Sequence, residues 1–335
     1  MRIASLIQQF NARVSWPLRA VLVLGAGLLF YTAGLLLLRA QALSVPVLMT
    51  GHAVLSKLRG RAPDCPWPRV ISIYPDTFRQ AHLAARALPT LAIRQSEEAL
   101  DIQLIASPAR PFWIKRRGAN MDGQQLLAYL LSEHDRMAED KATYPVQKGD
   151  VVLDCGAHVG VFTNKALQLG AGKVIAIEPD PVNVECFRRN FAAEIAAGRV
   201  VVVPQGVWSA PKTITLFFGL GNSGMNSMVA RPGAGSIEVP VTTIDNIVQT
   251  LILPRVDYIK MDIEGAEREA LAGAMETLKK FRPRLMLDSY HRPDDMQVLP
   301  VILRRAHPDY NLSCGPCEPS NYDRTRLVPH MTFYR

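Results

Sequence analysis

The stretch VVLDCGAHVGVFTNKALQLGAGKVIAIEPDP, residues 151 to 181, decides the fold. Its two apolar runs are short and continuous, and each ends on an acidic residue, Asp154 and Glu178. Runs of this kind read as strands buried on both faces. Between them, Gly156 and Gly160 open a helix expected over about 160–169, and Gly170 and Gly172 stop it. Asp180 is suited to cap the next helix, with Pro181 at its first position, where a missing N–H costs nothing. Val184, Phe187 and Phe191 then recur at helical spacing.

The same texture continues. RVVVVP, VDYIKMD and RPRLMLDSY read as further strands, with a helix between the last two that turns Ala270, Leu271, Ala274 and Leu278 inward. Alternating strands and helices predict a doubly wound α/β domain with a mainly parallel sheet. Between RVVVVP and VDYIKMD lies a long insertion with two β-like runs around a Gly/Ser/Asn loop at 222–227, a candidate flap.

Ligands of such sheets bind beyond the carboxyl ends of the strands, near the switch in strand order. Asp154, Gly156, His158, Gly160 and Glu178 all fall there. Glu178, 24 residues after Asp154, can accept two hydrogen bonds from a ribose diol. A nicotinamide-dependent oxidoreductase would use a similar acid. Its loop, however, carries three glycines so that backbone amides hold a pyrophosphate. Here the first position is an anion, which repels phosphate and favours a cation. S-adenosylmethionine has a sulfonium, an ammonium and no phosphate, so it suits the loop better.

Two further clusters stand at strand ends. VDYIKMDIEGAEREAL, residues 256–271, holds Asp262, Glu264 and Glu267; acids near a helix start are ordinarily stabilising, but Asp262 lies at the edge where a bound donor would point. LMLDSYHRPDD holds Asp288 and, three residues on, His291, a candidate base for which Asp262 would be the orienter or a second candidate. Asp262, Glu264, Asp288 and His291 would also suit a hard divalent cation, although no spacing demands one.

VVLDCGAHVGVFT, VIAIEPDPVNVECFRRN and VDYIKMDIEGAEREAL together resemble the FkbM family of S-adenosylmethionine-dependent methyltransferases, from about Lys148 to the C-terminus. The run Lys260–Glu267 carries the more specific part of the likeness. The resemblance implies a seven-stranded, Rossmann-like methyltransferase sheet with an antiparallel hairpin at one edge, to which HMTFYR at the C-terminus would belong. It implies O-methylation of a hydroxyl on a sugar, glycan or secondary metabolite. Catalysis would fall to His291, Asp262 and Asp288, and donor binding to Asp154, Gly156, His158, Gly160, Glu178 and Asp262. Asp288 stands where the family is expected to have Glu, one methylene longer. The alternatives are the nicotinamide-dependent oxidoreductase and a non-catalytic membrane-anchored binding module of the same fold.

Upstream, Val21–Leu38 is an 18-residue apolar run without charge, flanked by Arg19 and Arg39. It is long enough for one transmembrane helix, expected at about 20–38 of an N-terminal segment 1–44. Ala40-Gln41-Ala42 also has the look of a signal cleavage site. A linker (45–68) and an accessory α+β region (69–147) precede the methyltransferase domain (148–335). RVISIY, LDIQLIA and PFWIKRR read as strands of that region, with SPAR a turn, and Asp122 as cap of a helix bearing Leu126, Leu127, Leu130 and Leu131. Because the methyl donor is cytosolic, a single-pass protein with its catalytic domain in the cytoplasm is expected. The net charge of +8 is scattered, which opposes nucleic acid as a partner and leaves a small molecule or glycan. Five irregularly spaced cysteines suggest mostly reduced thiols and a reducing compartment. The lone Cys314-Gly-Pro-Cys317 pair reads as loop cysteines, not as a zinc or redox motif.

Overall fold

A computed structural model describes residues 48–117, 121–139, 145–219, 223–229, 235–320, 322, 323 and 325–335. The chain divides into two compact units, Met1–His52 and Ala53–Arg335, and the second contains everything below. Val21–Leu38 lies outside the described residues; among the described residues no helix is long and apolar enough to cross a membrane.

The second unit opens with helices Trp67–Ile71 and Ile73–Ala87. RVISIY is therefore helical, not a strand. Pro68 stands in the first turn, and Val70 and Ile73, three apart, bury one face. Strands β1 (Ala92–Glu97), β2 (Ile102–Ala106) and β3 (Phe112–Lys115) form an antiparallel sheet. Helix Gly123–Glu139 follows, and Asp122 caps it as expected: its Oδ1 accepts from Gln125 N at 2.8 Å while Gln125 Oε1 accepts from Asp122 N at 3.1 Å.

The central sheet begins with β4 (Val151–Cys155), β5 (Lys173–Ile177) and β6 (Val200–Val203). The insertion forms a three-stranded sheet of β7 (Gly206–Val207), β8 (Lys212–Phe217) and β9 (Ser236–Thr242). The main sheet resumes with β10 (Tyr258–Met261), β11 (Arg284–Asp288) and β12 (Leu312–Cys314). A hairpin of β13 (Cys317–Pro319) and β14 (Leu327–Pro329) precedes the final strand, β15 (Met331–Tyr334). The seven strands lie in the order β12-β15-β11-β10-β4-β5-β6. Every neighbouring pair from β11 to β6 is parallel, while β15 runs antiparallel to both its neighbours. HMTFYR thus supplies the reversed strand near one edge.

Alternation divides the core into two. Leu153, Ile175, Ile259 and Leu285 lie in register across four strands and pack on one face, while Val152, Val174 and Ala176 pack on the other. Each of those four large side chains is fully buried, contributing about 1.5–3 kcal/mol. The second face also takes Ile102, Ile105, Phe112 and Ile114 of the small antiparallel sheet, so the accessory elements share its core.

A third, small cluster joins the two ends of this unit. Cys65 and Cys317, 252 residues apart, form a disulfide amid Val70, Ile73 and Leu327. This corrects the reading of Cys317 as a loop thiol and removes the support that cysteine usage lent to a reducing compartment. Spacing cannot disclose a pair so remote in sequence. Cys155 and Cys186 are buried free thiols, and Cys314 is half-buried and free.

Candidate active site

The sheet switches order between β4 and β10, and the loops leaving them enclose one cavity. Gly156 explains the tightness of the first loop. Its φ is +75°, and a Cβ there would come within 2.0 Å of the Asp262 carbonyl. Gly160, at φ +93°, is demanded by packing, because a Cβ would meet Phe191 at 2.1 Å.

Glu178 lines the cavity and is only 6 % exposed. One carboxylate oxygen accepts from His158 N at 2.8 Å; the other accepts from Asp180 N at 3.0 Å and Asn183 Nδ2 at 3.3 Å. Burial outweighs these bonds and raises its pKa to about 7. His158 holds positive φ, and its ring Nε2 meets Ser223 Oγ at 2.8 Å; burial lowers its pKa to about 4, so the ring is neutral. Ser223–Met225, in the insertion, is thus docked over the cavity. Asn226 strengthens the closure by donating to Asp180 Oδ2 at 2.7 Å, and Asp180 caps the helix Pro181–Asn190 as expected.

Asp154 departs from expectation. It is wholly buried behind the cavity and does not line it. Its Oδ2 accepts from Thr163 Oγ1 at 2.7 Å, and its Oδ1 lies 3.7 Å from Lys260 Nζ. Lys260, itself buried, donates to the Gly156 carbonyl at 2.8 Å and stands 4.0 Å from Asp262. Asp154 therefore acts through Lys260, which ties the glycine loop to the end of β10. Burial opposes the charge on Lys260, but Asp154, Asp262 and Asp288 outweigh it and hold its pKa up.

Asp262, Asp288 and His291 do come together: each offers an atom within 4.8 Å of the others. The carboxylate that orients His291 is a different one, however. Glu267, fully buried, meets His291 Nδ1 at 2.9 Å and also accepts from Ile263 N at 3.1 Å. His291 Nε2 faces Glu264 at 3.6 Å and Asp262 at 3.9 Å. Burial opposes a charged ring, but Glu267 and Glu264 prevail and hold the pKa of His291 well above its ordinary value. Asp262 stays ionised: burial raises its pKa, and Lys260, His291 and His330 lower it further than that. For Asp288 burial and the charge of Asp262 act together, and its pKa is raised well above the carboxylate range.

A divalent ion could draw one atom each from Asp262, Asp288 and His291. Lys260, however, already supplies positive charge 4.0 Å from Asp262, and Glu264 falls outside the three-residue group. The residues fit an ion poorly, and no step below uses one.

Sequence reasoning missed Glu267 as the partner of His291, although it was visible in the first turn of its helix. It also missed His330, which no motif marks. His330 Nδ1 meets Glu318 Oε2 at 3.1 Å; its Nε2 lies 3.7 Å from Glu133 and 4.0 Å from Asp288. Burial opposes its charge, but Glu318, Asp288 and Glu133 raise its pKa to about 9. Tyr322 joins this side by donating its hydroxyl hydrogen to the His291 carbonyl.

A reordered seven-stranded α/β sheet, with an acid at the end of its second strand and a glycine loop at the switch, defines a methyltransferase-like fold. Residues 154–314 match the model of the methyltransferase FkbM domain, which supports an FkbM-family methyltransferase. It is 29% identical over 192 residues to the 31-O-demethyl-FK506 methyltransferase FkbM of Streptomyces tacrolimicus, covering 48% of this chain and 73% of that protein. Methyltransferase sdnD of Sordaria araneosa is 24% identical over 156 residues, 37% of this chain and 60% of its own length. The hexuronic acid methyltransferase AglP of Haloferax volcanii is 26% identical over 133 residues, 40% of this chain and 53% of its own. The match thus spans between about half and three quarters of these relatives. Among solved structures, the methyltransferase FkbM of Methylobacillus flagellatus aligns over 80% of this chain and 62% of its own, with 19% identity and a TM-score of 0.41.

Proposed function

We propose that the chain transfers a methyl group from S-adenosylmethionine to a hydroxyl of a sugar, glycan or secondary metabolite. One observation carries the reading. The cavity at Glu178 and a second cavity at Asp288 meet along a shared seam that includes Asp262, Glu264 and Glu133. A donor held at Glu178 and an acceptor held at Asp288 would therefore face one another across Asp262.

The residues fit the donor. Glu178 offers two oxygens to a diol, and the Gly156–His158 backbone has no side chain at its closest approach to β10. When bound, the donor supplies an electrophilic methyl carbon, so the chain needs only to align an oxygen with it and take a proton. His291 is the base. Glu267 fixes its ring through Nδ1, and Nε2 lies buried behind the seam, 3.6 Å from Glu264 and 3.9 Å from Asp262, so a proton would reach it through those two lining carboxylates. Asp262 accepts the acceptor's hydroxyl hydrogen bond and keeps the oxygen in line. A positively charged His291 cannot take a proton, so turnover rises with pH as the ring becomes neutral.

Incubation of the full chain with methyl-labelled donor and a panel of sugars and polyketide alcohols tests the reading. Label should appear as a methyl ether, and transfer should fail with Asp262→Asn. Absence of donor or S-adenosylhomocysteine binding would sink it. We place this unit on the cytoplasmic side of a membrane to which residues 21–38 would tether it, on the ground that the donor is made there. Protease protection of the C-terminus in sealed vesicles decides the side.

A further inference from the structure

The second cavity has a charge pattern that speaks to what it admits. It encloses about 320 Å3, at the lower end of the roughly 300–1,000 Å3 usual for small-molecule sites. Four carboxyl groups line it, Glu133, Asp262, Glu264 and Asp288, the last held toward its neutral form, against one basic side chain, His330. Asp288 is 2 % exposed, and its Oδ1 has no hydrogen-bond partner within the protein. A buried carboxyl oxygen without a partner is costly unless a ligand satisfies it. Tyr129 and Tyr290 add two ring edges with hydroxyls, and Tyr290 is fixed by packing 4.4 Å from both His291 and His330.

Resting on the methyl-transfer reading, we infer that this cavity is the acceptor subsite and that it selects an uncharged polyhydroxyl ring over any acceptor bearing a carboxylate or phosphate. Hydroxyl groups donate to carboxyl oxygens, and a ring hydroxyl can satisfy Asp288 Oδ1. The face of a sugar ring packs on tyrosine. A carboxylate or phosphate has no donor for these oxygens and meets like charge at close range, where water is scarce and screening weak. His330 and the buried cations Lys260 and His291 behind the lining do not offset this, because each already faces a pair of acids: Glu318 and Glu133, Asp154 and Asp262, and Glu267 and Glu264 respectively. The elevated pKa of Asp288 has the same origin: burial first, then the neighbouring anions Asp262 and Glu133.

Two measurements on the full chain test the inference. Met225, 42 % exposed at the rim, is replaced (Met225→Cys), and its reaction with a cationic and an anionic methanethiosulfonate reagent is timed against a free small thiol, with the unsubstituted chain as background for Cys314. The cationic reagent should react at least about tenfold faster, as expected for a focused negative potential. Equal rates, or a faster anionic reagent, overturn the inference. In parallel, labelled methyl transfer to methyl β-glucoside and to methyl β-glucuronide is compared. The glucoside should be preferred at least about tenfold, and the Glu133→Gln/Asp288→Asn pair should narrow the gap. Preference for the glucuronide overturns the inference while leaving methyl transfer standing. If neither sugar is methylated, the sugar acceptor of the proposed function falls, and the reagent ratio alone decides the charge of the subsite.

Discussion

The two cavities differ in how they are built. In the cavity proposed for the donor, Gly156, His158, Glu178 and Asn183 come from a single βαβ unit, with Ser223 added from the insertion, and each oxygen of Glu178 is bonded. The acceptor side draws on residues 121–133, 224–225, 262–264, 288–290 and 330, and leaves Asp288 Oδ1 without a partner. One side is a closed local motif whose ligand contacts are set by backbone geometry. The other is an assembly of distant carboxylates whose charges perturb one another. Local motifs hold a common ligand, and assembled surfaces can diverge without disturbing it.

The sharpest way to break this division is His291→Gln. It should lower kcat by about 10^2–10^4-fold, the usual contribution of a positioned base, while calorimetry with S-adenosylhomocysteine shows unchanged affinity. Equal loss of donor binding would mean that the two sides are not separable. Next in size is Glu178→Ala, which should weaken S-adenosylhomocysteine by about 30–100-fold, the equivalent of roughly 2–3 kcal/mol for lost bonds to a charged acceptor. The acceptor KM should move little.

Two smaller effects sharpen the comparison through pH. Glu267 and Glu264 hold the pKa of His291 up, so the neutral base appears only on the alkaline side. Glu267→Gln removes the larger of those charges and should move the rising limb of the kcat profile toward lower pH; an unmoved limb would mean that His291 is not the group titrating. On the donor side, Glu178 has its pKa raised to about 7, so its carboxylate forms as pH rises through neutrality. Donor affinity should therefore increase several-fold between about pH 6 and 8, with protons released on binding, because hydrogen bonds from a diol favour the ionised form. The smallest effect belongs to the insertion. Ser223→Ala removes its bond to His158 and should change the donor's association and dissociation rates by a few-fold in stopped flow.

The same contrast explains what the sequence disclosed. Glu178, Gly156 and the Asp180 cap are legible because each is fixed by neighbours within a few residues along the chain. The strands were legible as apolar runs, but their arrangement, with HMTFYR as the reversed strand, was reached only through the family resemblance. Asp154 was found at the right position but given the wrong work, since only the fold brings Lys260 between it and Asp262. Asp262 was assigned to orient His291, yet the Nδ1 of the ring meets Glu267 at 2.9 Å while Asp262 lies 3.9 Å from Nε2. RVISIY is rich in β-branched residues, but the preceding prolines and the spacing of Val70 and Ile73 favoured a helix against Cys317 and Leu327. His330 and the Cys65–Cys317 link depend on contacts across most of the chain, which no local pattern records.

That link has a mechanical consequence. A covalent ring runs from residue 65 to residue 317 and takes in the whole parallel part of the sheet, together with the helices that cover it. Tension applied to the chain ahead of Cys65 divides there between the helix that follows and the disulfide, so part of it reaches β13, one residue from Glu318, the partner of His330.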